Sequence, residues 1–458
     1  MKTEILENIP ARIAAHYCVF PLSVEGDTLL LASPEGLSRD AKEELRITLD
    51  RKLDFASRPK IEIEDLIHKF YGVGAGVIES LTQEKTQEGE VFDFEVIDQN
   101  KKEDMTIAKL VNELFLDALK CRASDIHIEP FERSLKIRYR VDGLLQDARI
   151  SGQIRMLAPQ LISRIKIMAK LDIGERRLPQ DGRIKIKQKS GELDLRVSVL
   201  PSSFGESIVI RILKSLELLE LADLGFDEKG ISQMRQFLKK PHGVVLITGP
   251  TGSGKTTTLY SCLKELNQTE RKIVTIEDPV EYKLPGVIQM QVNPKIDFTF
   301  ARALRSILRH DPDCIMIGEI RDAETAEIAI RSALTGHLVF STIHTNDAPS
   351  AITRLVEMGV EPYLVASALE GVIAQRLVRK ICPKCEKCRH TGFHGRIAIS
   401  EIMPVTDEMR DLILDRKTGS VIRKTAAGNG MESLYENGMT KVRIGLTSLE
   451  EVQRIISL

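Results

Sequence analysis

The chain contains no tryptophan, and aromatic residues make up only 5% of it. Proteins that track single-stranded nucleic acid stack bases on aromatic platforms, so this scarcity counts against that class. An excess of one charge is missing too. Lysine and arginine number 65 against 66 aspartates and glutamates, and a net charge of -1 excludes a general nucleic-acid coat. No hydrophobic run approaches the ~18 residues of a membrane span, and no apolar signal segment opens the sequence. The expectation is a cytoplasmic protein whose membrane association is at most peripheral. A disulfide framework is also absent. Of seven cysteines, Cys18, Cys121, Cys262 and Cys314 stand alone, while Cys382, Cys385 and Cys388 cluster. That usage fits reduced thiols plus one candidate metal site.

What is present is ample. A hydrophobic content of 42% with 29% charged residues is ordinary for globular protein, and 458 residues suffice for three domains at a prior of ~150 residues each. Residues 1–72 read as a small α/β domain with a helix opening at Ile9-Pro10, a strand over 27–32 and a closing helix over 64–71. No catalytic constellation lies there, which makes partner docking its expected role. Residues 73–104, rich in Gly, Gln and Glu, read as a linker.

Residues 105–220 form a second N-terminal domain of α+β type. Ile107, Leu110, Val111, Leu114, Phe115 and Ala118 recur at helical spacing. The alternating runs 124–130 and 135–143 pair as strands, with Asp125, His127 and Glu129 on one face. Those three residue types suit a metal, but a solvated strand face explains them more simply. A helix over 154–171 precedes strands at 184–187, 194–199 and 206–213. Arg138, Arg140, Arg183, Arg196 and Arg211 recur on the strands. Singly each reads as a solvated arginine. Together, beside a phosphate-binding domain, they suit neutralisation of transition-state charge across a subunit boundary.

Residues 221–458 carry the stretch that organises the reading. Gly249-Pro250-Thr251-Gly252-Ser253-Gly254-Lys255-Thr256 fits G-x-x-x-x-G-K-[ST], with a strand over 243–248 before it and a helix from Thr257 after it. Backbone N–H groups of such a P-loop wrap the β-phosphate at a helix N-terminus. Lys255 would reach the β/γ-phosphates, and the Thr256 hydroxyl would ligate Mg²⁺. Alternating strands and helices follow, which implies a parallel sheet with helices on both faces. Three strands end in polar residues: 272–276 before Glu281, 313–319 at Glu319, and 338–343 before His344. Ligands sit at the carboxyl ends of such strands, so these residues are expected to converge on the P-loop. Gly318 stands where a Mg²⁺-binding aspartate is usual, which leaves metal or water positioning to Glu319, with Asp278 as a helper. Glu281 and Glu319 are both candidate bases for water attack. His344 is a candidate γ-phosphate contact, against a plain structural role at a strand end.

In order and in register, GPTGSGKTTTLY, TIEDPVE, DPDCIMIGEIRD and STIHTNDA resemble the secretion ATPase superfamily of type II secretion and type IV pili. SDIHIEP, YRVDG and RLPQDGRI resemble its second N-terminal domain, and residues 1–72 more loosely resemble its small N-terminal domain. The resemblance implies a RecA-like P-loop domain preceded by a PAS-like domain, ATP and Mg²⁺ as ligands, and a homo-oligomeric ring, a hexamer. It implies Glu281 as the water-activating base, Glu319 as the Mg²⁺-side acid and His344 as a γ-phosphate contact. Gly249 to Thr257, with Arg183, Arg196 and Arg211, would face nucleotide. Inner-membrane secretion platform proteins are the implied partners, reached through the N-terminal domain. A nucleic-acid translocase is the rival reading from another class.

The chain departs from the family at one place. Assembly ATPases of this kind carry two Cys-x-x-Cys pairs around a long loop, whereas here the pairs have merged within residues 382–396. Cys382, Cys385 and Cys388 with His390 or His394 can supply four zinc ligands, yet the tight spacing strains a tetrahedral site. A turn with reduced cysteines is the slightly preferred alternative. Arg376, Arg379, Lys380, Lys384, Lys387 and Arg389 surround it as a basic patch, either merely solvated or facing acidic headgroups or an acidic partner loop.

Overall fold

The computed structural model describes residues 3–6, 8–72, 105–148, 150, 152–188, 191–213, 219–384 and 391–457. The expected linker over 73–104, with Cys385, Cys388 and His390, lies outside them. The chain divides into two compact units, Met1–Ser215 and Leu216–Leu458.

The first unit holds two sheets. Strands β1 (Phe20–Glu25), β2 (Thr28–Ser33) and β3 (Lys52–Ser57) form one, antiparallel then parallel. Its parallel step is crossed by the helix Arg39–Leu49, capped by Ser38, and the helix Lys60–Phe70 follows β3. Phe20, Leu29, Leu31, Leu45 and Ile63 close a core there.

The other sheet contains β4 (Asp125–Pro130), β5 (Leu135–Val141), β6 (Leu144–Asp147), β7 (Gln180–Gln188), β8 (Gly191–Ser202) and β9 (Gly205–Leu213). All neighbours are antiparallel in the order β6-β5-β4-β9-β8-β7. Alternation decides its faces. Ile126, Ile137, Tyr139, Ile184, Leu195, Val197 and Ile210 pack on the helices Met105–Lys120 and Ala158–Met168. The residues between them, the arginines included, stand on the opposite face. The expected helix over 154–171 is shorter than its hydrophobic pattern, because its first turn, Gly152–Leu157, is 3₁₀.

The second unit is a RecA-like α/β layer. Its sheet has β10 (Gly243–Thr248), β11 (Ile273–Glu277), β12 (Ile288–Gln291), β13 (Cys314–Ile317), β14 (Leu338–Ile343), β15 (Leu369–Ile381) and β16 (Phe393–Pro404). The order is β12-β11-β13-β14-β10-β15-β16, parallel except for β16 at one edge. β10, β11, β13 and β14 are buried at every position, as continuous apolar runs require. Successive residues serve two cores. Val244, Leu246, Ile315 and Ile317 join one, and Val245, Ile247, Cys314 and Met316 join the other. Among the described residues no helix is long and apolar enough to cross a membrane.

Candidate active site

β10 delivers the chain to the P-loop, and the helix Lys255–Leu266 leaves it. Two glycines are fixed by crowding. At Gly249, with φ 147°, a Cβ would lie 2.5 Å from the Gln375 carbonyl oxygen and 2.6 Å from Ser253 Oγ. At Gly254, with φ 89°, it would lie 2.7 Å from Gln375 Nε2. Lys255 Nζ donates to the Gly249 and Pro250 carbonyls at 2.8 and 3.0 Å, folded back over its own loop. Burial pushes its pKa down to about 8, with Glu319 opposing that shift and Arg376 adding to it. Thr256 is exposed, Thr257 half-buried, and the buried Ser253 hydroxyl has no hydrogen-bond partner among the described residues.

The strand order brings the other predicted residues to the same end of the sheet. β14 lies beside β10, and β13 beside β14, so the segments following them adjoin the P-loop. Glu319 follows β13 and His344 follows β14, and His344 Nε2 stands 3.5 Å from a Glu319 carboxylate oxygen. Glu319 also pairs with Arg321, whose guanidinium Glu319 holds above its ordinary pKa, with a smaller contribution from Asp278. Thr248, the last residue of β10, ties the histidine segment down. Its hydroxyl lies 2.8 Å from the Ile343 carbonyl and accepts the Thr345 N–H at 2.9 Å. Glu281 sits further out, exposed, in the loop between β11 and β12.

Two residues of this site escaped the sequence analysis. Gln375 and Arg376 on β15 are buried at 2% and 6% exposure. Gln375 Nε2 donates to the Ser253 carbonyl at 3.0 Å, while its Oε1 accepts from Thr258 Oγ1 at 2.7 Å. Arg376 donates to the Asn346 carbonyl at 3.0 Å. One strand therefore clamps the P-loop and the histidine segment together. The signal was legible as two polar residues interrupting the apolar run of β15. Arg376 is thereby corrected out of the surface basic patch. Arg379 leaves it as well, paired with Glu451 and stacked 4.1 Å from the Phe393 ring centroid.

The sheet of the first unit lines its arginines up. Arg183 pairs with Arg196, Arg196 with Arg211, Arg211 with Asp125, and Asp125 with Arg140, in one transverse row across five strands. Directly paired residues point to the same face, so the row is a cationic line with one acid in it. Asp125 accepts from Arg211 at 3.0 Å and lies 3.7 Å from Arg140, and Glu129 pairs with Arg138 at 2.6 Å. The acids of the Asp125, His127, Glu129 trio thus serve arginines, and burial lowers the His127 pKa. Arg196 Nε is buried with no partner among the described residues. Of the cysteine trio only Cys382 is described, and its thiol donates to the Lys384 carbonyl. No cluster of metal-ligating side chains occurs among the described residues.

The Type II/IV secretion system protein family matches residues 100–454, and an MshEN domain matches residues 1–77. The chain belongs to the type II/IV secretion system protein family. The type IV pilus assembly ATPase PilB of Myxococcus xanthus is 40% identical, over 99% of this chain and 86% of its own length. The type II secretion system ATPase E of Vibrio cholerae is 46% identical, over 82% of this chain and 79% of its own. Among solved structures, the pilus retraction motor PilT with bound ADP superposes at a TM-score of 0.53 and 28% identity, covering 75% of this chain and 95% of that one. The ATPase DotB of Yersinia pseudotuberculosis shares the fold at a TM-score of 0.62 and 24% identity, covering 80% of this chain and 99% of that one. As a secretion ATPase, this chain is a P-loop, nucleotide-binding enzyme.

Proposed function

We propose that this secretion ATPase hydrolyses ATP as a ring, the family's hexamer, to drive pseudopilus assembly in type II secretion. The observation that carries it is the meeting of Glu319 and His344 beside the P-loop lysine, at the carboxyl ends of neighbouring parallel strands. Type IV pilus assembly is the second reading, supported by the pilus ATPase that aligns with 99% of the chain. The relatives named above are secretion and pilus ATPases, which sets the nucleic-acid translocase aside.

The chemistry follows from the residues. Backbone N–H groups along Gly249 to Thr257, all but Pro250, and the Lys255 ammonium hold the β- and γ-phosphates. Thr256 Oγ1 and the Glu319 carboxylate are hard oxygen donors of the kind Mg²⁺ takes. When bound, that ion spreads the charge growing on the phosphate oxygens. Glu281 orients a water and accepts its proton as the water oxygen bonds to the γ-phosphorus and the bridging bond to ADP breaks. His344 hydrogen-bonds the γ-phosphate and returns to Glu319 when the phosphate leaves. Arg183, Arg196 and Arg211 offer charge to nucleotide, in part that of a neighbouring subunit. The N-terminal domain docks on inner-membrane platform proteins, which holds the ring at the cytoplasmic face.

The test is functional replacement. Expression in strains lacking either the type II secretion ATPase or the pilus assembly ATPase should restore secretion, and a Lys255→Ala variant should not. Restoration of piliation alone would favour the second reading. Purified protein should hydrolyse ATP only with Mg²⁺ and sediment as a hexamer when nucleotide is present.

A further inference from the structure

Of the acidic residues that close β11, Glu277 is buried at 3% exposure, while Asp278 and Glu281 are exposed. A buried carboxyl needs hydrogen-bond partners, and Glu277 has three. It accepts from the hydroxyl of Tyr260, from Thr275 Oγ1 at 2.5 Å and from Gln289 Nε2 at 3.2 Å. Tyr260 is buried at 1% exposure on the helix that starts at the P-loop lysine. Its ring meets Tyr282 edge-on, with centroids 5.0 Å apart, and its oxygen accepts the Tyr282 N–H at 3.4 Å. Gln289 lies opposite Thr275 in the β11–β12 ladder. Its Nε2 also donates to the Tyr282 carbonyl at 2.7 Å, and its Oε1 accepts the Leu284 N–H at 2.7 Å.

The loop bearing Glu281 is therefore pinned on both sides: at Glu277 before it, and at Tyr282 and Leu284 after it. An exposed base takes its position from the backbone that carries it. We infer that Tyr260, Glu277 and Gln289 are positioning residues that fix this loop relative to the P-loop helix and so aim Glu281 at the attacking water. The inference rests on the reading of Glu281 as the base. A ladder already joins β11 to β12, so the sheet edge does not need this network to form. Catalysis does, because a displacement of about 1 Å can cost about 100-fold in rate.

The experiment is Tyr260→Phe, which deletes one hydroxyl and keeps the ring against Tyr282. The expected result is a fall in kcat of tenfold or more, by an order-of-magnitude reckoning, with ATP affinity within about twofold of wild type. Amide exchange over residues 278–286 should quicken while that of 249–256 is unchanged. Thr275→Ser should keep the activity that Thr275→Val loses. A Tyr260→Phe enzyme with wild-type kcat, or one losing ATP affinity in step with kcat, overturns the inference. Glu281→Gln is assayed alongside. Full activity there removes Glu281 as the base, and this inference with it. An inactive Glu281→Gln beside a fully active Tyr260→Phe overturns the positioning role alone.

Discussion

His344 Nε2 and the Glu319 carboxylate stand 3.5 Å apart, though 24 residues of chain, with a helix and a strand among them, separate the two. Arg321 holds the other side of the same carboxylate. Glu319 is thus an acid held among basic groups at the mouth of the P-loop, and its removal tests the assignment directly. Glu319→Gln should bind ATP with near wild-type affinity and hydrolyse it about 100-fold more slowly or worse, since a group that acts on charge growing in the transition state contributes about 10²–10³-fold. Wild-type turnover would refute the role of that carboxylate.

Lys255 gives a pH dependence. Its pKa of about 8 lies below the ordinary lysine value, because burial disfavours the ammonium. Phosphate binding favours the ammonium, so nucleotide should bind with proton uptake as the pH passes above 8. ATP affinity should fall with rising pH over that range. For the free protein the sign is the reverse: between pH 8 and the ordinary lysine value of 10.5 the unfolded chain holds the proton that the folded chain has lost. This group's contribution to stability therefore grows with pH across that window. Titration calorimetry in buffers of different ionisation enthalpy measures the uptake. Proton-independent binding at pH 9 would contradict it, and Lys255→Ala should lose nucleotide binding altogether.

Gln375 should matter for affinity more than for chemistry. Gln375→Met leaves the Ser253 carbonyl and the Thr258 hydroxyl buried without this partner, at about 1–3 kcal/mol. ATP binding should weaken about tenfold if roughly 1.4 kcal/mol of that falls on the P-loop. Equal affinity for ATP in the variant, measured by fluorescence titration, would show that the P-loop holds its shape without the clamp.

The arginine row predicts complementation. If Arg183, Arg196 or Arg211 completes a neighbour's site, ATPase activity should rise steeply with protein concentration. Mixing an Arg→Ala subunit with a Lys255→Ala subunit should then recover activity at mixed interfaces. No recovery at any ratio would assign these arginines to their own subunit.

The shortened cysteine segment predicts metal content. Three cysteines and a histidine within residues 382–394 are too closely spaced to close a tetrahedral site without strain. Purified protein should accordingly lack stoichiometric zinc, with Cys385→Ser as stable as wild type. About one zinc per chain, lost with that substitution, would establish the three-cysteine site instead.

The sequence by itself determined the parts that are local. A P-loop needs glycines, a lysine and a threonine at fixed spacing between an apolar strand and a helix, so residues 243–267 carried their own meaning. Alternating runs likewise announced β4 and β5, and buried runs announced β10, β11 and β14. The tertiary structure decided whatever depends on strand order. Five basic or acidic residues on separate strands became one transverse row through antiparallel register, which no single strand encodes. Gln375 carried no signal of its own and Arg376 read as part of a surface basic patch until β15 was placed beside β10. Glu277 stood in the sequence only as the first acid of the TIEDPVE box. Its burial under Tyr260 follows from where the P-loop helix packs, a long-range contact that the spacing of neighbouring residues does not carry.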